Sequence, residues 1–121
     1  MYSNALREHA VNPRNRREME SPSAVGQASY ARCGDKLALY FRIQDDVVTE
    51  VAFKSCACGP VIAAASIATT LLEGRTVGEA RQLSAFDLHR ALGGLPLSKR
   101  HAILLVLQCL HEALGRRPQP N

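Results

Sequence analysis

Two short segments carry residue types that bind metals and attack sulfur. Cys33-Gly34-Asp35 stands directly ahead of an alternating apolar run, and Cys56-Ala57-Cys58-Gly59-Pro60 lies where a second such run gives way to a longer apolar stretch. Glycine lets the backbone reverse at the first segment, so a thiol and a carboxylate can point at one site. In the second, Cys58 precedes a predicted helix N-terminus, where the positive end of the helix dipole and unpaired N–H groups favour the thiolate. That ionised form is the one that ligates metal and attacks sulfur.

The elements that must position these residues are legible from periodicity. Leu37, Leu39, Phe41 and Ile43 alternate with Ala38, Tyr40 and Arg42, which predicts a half-buried strand. Gln44-Asp45-Asp46 is a turn signal, and residues 48–55 read as a second strand carrying Val51 and Phe53, closing an antiparallel hairpin. Residues 24–32 are a weaker third strand, joined to the first across Cys33-Gly34-Asp35. Tyr2, Ala5, Leu6 and His9 recur at helical spacing and predict a short helix that stops before Asn12, because Pro13 follows. Residues 12–24 read as an irregular connection.

The second half changes period. Pro60 suits a first helical position, and the run through Leu72 ends near Gly74. Thr76–Glu79 and Ser84–Asp87 have capping-box spacing, and Ser98 is a candidate cap for a last helix with a stripe of Ile103, Leu104, Leu107, Leu110, His111 and Leu114. Strands followed by helices predict an α+β fold, a small antiparallel three-stranded sheet covered by helices. The expected organisation is a single domain over 1–121: helix and connection 1–24, sheet 24–57, helical part 60–115 and a loose tail 116–121.

Composition narrows the function classes. Apolar residues at 46% and charged residues at 21% are those of an ordinary globular chain. The apolar stretch 60–72 contains Ser66, Thr69 and Thr70 and is shorter than the ~20 residues a membrane span needs. The net charge of +4 is spread along the chain, and three Tyr, three Phe and no Trp give no aromatic–basic interleaving, so neither a membrane nor a nucleic acid is an expected partner. No apolar signal-like region opens the chain, which makes the cytoplasm the expected location. In that reducing setting the four cysteines are metal ligands, reactive thiols or buried apolar residues rather than disulfides.

Asn12-Pro13-Arg14-Asn15, Cys33-Gly34-Asp35, Lys54-Ser55-Cys56-Ala57-Cys58-Gly59-Pro60-Val61-Ile62-Ala63, Glu73-Gly74 and Leu95-Pro96-Leu97-Ser98-Lys99-Arg100-His101 occur in that order. Together they resemble the U-type iron–sulfur cluster assembly scaffold family, IscU and the N-terminal part of NifU. The similarity runs from about Leu6 to Leu114. It implies a scaffold without turnover chemistry of its own, hence not an enzyme. Such a scaffold takes sulfur from a cysteine desulfurase and iron from a donor, builds a [2Fe–2S] cluster, and passes it to apo iron–sulfur proteins, often with a chaperone pair. By position Cys33 and Cys58 match the first two ligand cysteines, Asp35 the aspartate that tunes cluster lability, and His101 the histidine before the third cysteine. At the third cysteine's own position stands Ala102. The family's Leu-Pro-Pro-Val-Lys chaperone segment is also changed, with Leu97 and Ser98 in place of the second proline and the valine. Leu95, Pro96 and Lys99 remain as partner-contact residues, while chaperone coupling is expected to weaken.

The resemblance therefore implies a metal set of Cys33, Asp35, Cys58 and His101, two thiolates, a carboxylate and an imidazole, which zinc accepts in tetrahedral geometry. A [2Fe–2S] cluster wants four terminal ligands, mostly thiolate, so the missing cysteine weakens a cluster more than a zinc ion. Cys56 is a candidate additional ligand if strand geometry persists through Ala57, since side chains two apart share a face. The alternative for Cys56 is an apolar slot. Cys109, about 12 Å along the helix from His101, belongs to the core. His9, His89 and His111 are expected on helix faces, and Lys99 could pair with Asp35 when no metal is bound. Three functions follow. The first is a scaffold with altered ligation. The second is a degenerate relative that binds zinc or no metal and acts as a regulatory partner of the assembly machinery. The third, with least support, is an enzyme using Cys58 and His101 as a nucleophile pair.

Overall fold

The alternation at Leu37, Leu39 and Phe41 buries all three side chains at 2% exposure or less and turns Lys36, Ala38 and Tyr40 to the other face. A computed structural model describes residues 2–115 except Cys33 and Cys58. The element order is α1 (Asn4–Val11), β1 (Ala24–Tyr30), β2 (Asp35–Gln44), β3 (Val47–Cys56), α2 (Gly59–Leu72), α3 (Val77–Arg81), α4 (Ala85–Ala91), a 3-10 turn (Leu97–Lys99) and α5 (His101–Leu114). The strands form one antiparallel sheet in the order β1-β2-β3, and the fold is α+β as expected. The expected tail at 116–121 lies outside the described residues.

Both turns of the sheet follow from local chemistry. Asp45 and Asp46 take positive φ of 51° and 64°, the backbone of a two-residue hairpin whose twist matches its strands. At the other end Tyr30 pairs with Asp35, and Gly34, at φ 69°, donates its N–H to the Tyr30 carbonyl at 2.9 Å. Asp35 is thereby placed at the first position of β2, on the inner face with Leu37.

The irregular connection between α1 and β1 has a structural task. Asn15 takes φ 62°, accepts the Phe53 N–H on its carbonyl at 2.9 Å, and donates its side-chain amide to Thr69 at 2.9 Å and Glu73 at 3.2 Å. Arg17 then donates its N–H to the Phe53 carbonyl, so this strap covers the outer edge of β3. Farther along, Val48 donates to the Arg75 carbonyl and Gly74 to that of Val48, each at 2.8 Å, pairing the edge near its start. An open strand edge is a template for unwanted pairing, and here it is occupied.

The helices cover the inner face. α2 is buried on most sides, through Val61, Ala63, Ala64, Ala65, Ala68 and Leu72, and carries no single apolar stripe because α1, α5 and the sheet all pack on it. It starts at Gly59, one residue earlier than Pro60 implies. α3 and α4 begin with the two expected capping boxes, Thr76–Glu79 and Ser84–Asp87. Among the described residues no helix is long and apolar enough to cross a membrane.

α5 corrects two expectations. Ser98 is not its cap. Residues 97–99 form a 3-10 turn, the N-cap position falls to Arg100 in right-handed helical geometry, and no side chain caps the end. Ile103, Leu110 and Leu114 of the expected stripe are buried, but the buried face also takes in Ala102, Leu105, Val106 and Cys109, while Leu104 is 56% exposed. This helix is apolar over much of its circumference, so its rotation was set by the surface it met. That surface is β1 at Gly26, where a Cβ would lie 1.8 Å from the Cys109 carbonyl oxygen.

Two predictions follow from this packing. Gly26→Ala forces backbone to move and should lower stability by about 3 kcal/mol or more in equilibrium urea unfolding. An unchanged midpoint would contradict the packing. The second concerns His9, which proves to be a tertiary link. Ser66 is fully buried, accepts the Arg14 N–H at 2.8 Å, and lies 2.6 Å from His9 Nδ1, to which its hydroxyl donates. Burial, with the Arg14 charge, holds the His9 imidazole below its ordinary 6.5. The unfolded chain therefore takes up the proton first, and stability is lost as pH falls from about 6.5 toward the lowered value. His9→Asn, which keeps an acceptor near the Nδ1 position but cannot titrate, should flatten that part of the stability–pH curve.

Candidate functional site

The first residue of β2, the last of β1 and the first of α5 meet at one end of the sheet. Asp35 is 6% exposed, and His101 approaches it with Nε2 3.0 Å from Oδ2. A carboxylate oxygen can only accept, so Nε2 carries the hydrogen in this contact. The two side chains are 8% and 9% exposed. Tyr30 lies against the face of the His101 imidazole, with ring centroids 4.6 Å apart and planes at 16°. The imidazole is thus fixed along its face by Tyr30 and at one edge by Asp35.

Of the expected site residues, Asp35 and His101 are brought together. Cys33 and Cys58 lie outside the described residues. Among the described residues, no group of three or more His, Cys, Asp or Glu could hold a metal ion. One hydrogen bond to Asp35 comes from His101, and the anticipated Lys99–Asp35 ion pair is not formed among the described residues. Ala102 follows His101 on the buried face of α5 with no exposed surface, and its methyl group offers no donor.

Cys56 requires a correction. Strand geometry ends at Cys56 and does not continue through Ala57. Cys56 pairs with Lys36, which alternates to the outer face, whereas Asp35 shares the inner face with Leu37. The Cys56 thiol is therefore on the opposite side of the sheet from Asp35, and the pleat does not bring it to the Asp35–His101 pair. Nor does it fill an apolar slot, because it is exposed, in an open hollow of about 660 Å³ that Lys36, Tyr40 and Lys54 also line. Cys109 is fully buried, donates its S–H to the Leu37 carbonyl at 3.3 Å, and has its pKa pushed up to about 12 by burial, which makes it an inert core thiol.

The segment expected to contact partners also differs from an extended stretch. Lys99 donates its N–H to the Pro96 carbonyl at 2.9 Å, closing the 3-10 turn. Leu95 is 8% exposed and belongs to the core, so it is not offered to a partner, while Pro96 and Lys99 are half-buried. The exposed apolar surface nearby is instead Phe86, 68% exposed, with Leu104, around a hollow of about 410 Å³ beside Arg100 and His89. Tyr30 was missed as a site residue. Its only local signal was an aromatic placed at a strand end, and stacking on a residue 71 positions away is not encoded locally.

With this geometry in view, the chain can be set beside known proteins. The family model described as the NifU-like N terminal domain matches residues 1–119. The bifunctional protein NifU/MnmA of Rubrobacter xylanophilus is 42% identical over 114 residues, which are 93% of this chain and 23% of that protein. The iron-sulfur cluster assembly scaffold protein IscU 1 of Archaeoglobus fulgidus is 33% identical over 114 residues, 94% of this chain and 74% of that protein. The chain thus spans less than a quarter of the first relative and about three quarters of the second. Among solved structures, FiSufU of Fervidobacterium islandicum AW-1 superposes with a TM-score of 0.77 at 19% identity, over 93% of this chain and 96% of that one. The N-terminal part of a NifU-like protein from Brucella abortus gives 0.67 at 19% identity, over 91% and 92%. These two likenesses speak for the fold. The family model and the sequence relatives speak for kinship, and the chain belongs to the NifU-like N-terminal domain family of U-type iron–sulfur scaffolds.

Proposed function

We propose that this chain is an iron–sulfur cluster assembly scaffold with altered ligation. It accepts sulfur from a cysteine desulfurase, holds iron or a labile [2Fe–2S] cluster as cargo, and hands it to apo iron–sulfur proteins. The cargo ligands are Cys33, Asp35, Cys58 and His101, with a zinc ion as an alternative occupant. The observation that carries this reading is the shielded Asp35–His101 pair, 3.0 Å apart. A carboxylate and an imidazole are both metal donors, and holding them together away from water prepares them to turn toward one ion. Relatives named as scaffold proteins support the same role.

In this role the chain's own groups divide the work. The imidazole is the donor that the first turn of α5 contributes, because Ala102 supplies none. Asp35 holds the His101 ring while no metal is bound and releases it when the carboxylate engages cargo. Thiolates at Cys33 and Cys58 neutralise the metal charge and receive sulfur. With one thiolate fewer than the family set, a cluster is bound more loosely than a single zinc ion.

Anaerobic mixing with a cysteine desulfurase, cysteine, iron and reductant is the direct test. The expected result is persulfide on Cys58 and a visible iron–sulfur absorption that bleaches quickly on chelation. Ala102→Cys should lengthen the lifetime of that absorption by about tenfold or more, the scale on which metal sites respond to a changed ligand environment. Absence of both chromophore and persulfide would overturn the scaffold reading.

A second reading is favoured by Ala102 itself, a fully buried methyl group that brings no donor to the first turn of α5. In it the chain binds zinc or no metal and acts as a regulatory partner of the assembly machinery. Zinc uptake without any chromophore, and no gain from Ala102→Cys, is its expected signature.

A further inference from the structure

We infer that Tyr30 is a positioning residue for the metal site, an aromatic clamp that sets the plane of the His101 imidazole. This rests on the metal-holding reading above and extends it to a residue outside the ligand set. The rings are nearly parallel at 16°, with centroids 4.6 Å apart, the offset-stacked arrangement that two π-systems favour. Tyr30 ends β1 and Asp35 opens β2 as its direct cross-strand partner, so one register pair delivers both the face contact and the edge contact to the imidazole.

The two contacts have different fates when metal arrives. Asp35 is itself a donor, and its hydrogen bond to Nε2 breaks once the carboxylate engages the ion. Stacking on Tyr30 uses only the ring face, so it survives and keeps the imidazole from swinging about its side-chain bonds. A metal-bound imidazole is electron-poor, and the electron-rich tyrosine face stabilises it further. Ala102 makes this clamp matter more. With no thiolate on the adjacent residue, the imidazole is the donor that this turn of α5 brings, and any looseness of that ring falls on affinity undiluted. Groups that orient a ligand without touching the metal typically control affinity by about 10- to 100-fold.

The test compares the full chain with Tyr30→Phe, which keeps the ring, and Tyr30→Leu, which keeps apolar bulk without a flat face. Anaerobic Co²⁺ titration followed by visible absorption reads affinity, and NMR of the His101 ring protons in the metal-free proteins reads the stacking. Tyr30→Phe should bind Co²⁺ within about twofold of the parent and leave the His101 signals shifted upfield by the neighbouring ring. Tyr30→Leu should bind about tenfold more weakly, and its His101 signals should move back downfield. If Leu serves as well as Phe in both readouts, Tyr30 only fills space and the clamp is overturned. A parent chain that takes up no Co²⁺ overturns the metal-holding reading instead. The His101 signals then still decide whether Tyr30 orients the ring.

Discussion

The approach of α5 to β1 at Gly26 is the constraint on which the rest of the molecule depends. No side chain separates the strand from the helix there, since even a Cβ would sit 1.8 Å from the Cys109 carbonyl oxygen. That contact fixes how deep α5 lies, and the Cys109 thiol donating to the Leu37 carbonyl at 3.3 Å holds it on the neighbouring strand as well. Helix depth and rotation then determine where residue 101 emerges. A helix lifted by even one methyl group would carry His101 away from both Asp35 and Tyr30.

At the end of the sheet the consequence is a polar pair with little exposure to water. Removing a carboxylate and an imidazole from solvent is unfavourable unless they satisfy each other, and a hydrogen bond to a charged group returns about 1.5–3 kcal/mol. The contact between the two offsets part of that cost. Loss of a thiolate donor at Ala102 does not disturb this balance, because a buried methyl group is at home against the core. What it changes is the ligand count available to cargo.

The opposite edge of the sheet is managed by different means. The strap through Asn15 and Arg17 and the turn through Gly74 and Arg75 both pair with β3, while the Asn15 side chain reaches back to α2. This strap, the Ser66–His9 link and the Ser3 hydroxyl bonded to the Leu92 carbonyl tie the N-terminal segment to the helical layer. The fold thus couples the segment carrying Asn12-Pro13-Arg14-Asn15 to the same helix that begins beside Cys58 in the chain.

The amino-acid sequence by itself determined the strands, their two turns, the capped starts of α3 and α4, and the pairing of a Cys-Gly-Asp turn with a cysteine ahead of a helix. These are local matters, set by alternation, by turn residues and by side chains three positions apart. It also carried the family resemblance, through short motifs in a fixed order. Three things were beyond it. Leu104 and Ala102 are both apolar and two residues apart, so periodicity could not say which of them α5 would bury; the contact at Gly26 decided that. Cys56 stood as a candidate additional ligand until the end of β3 and the pleat put it with Lys36 on the outer face. The stacking of Tyr30 on His101 joins a strand end to a helix start. Only the tertiary structure could make that contact, because two rings so distant in the chain meet only after the sheet and α5 have packed.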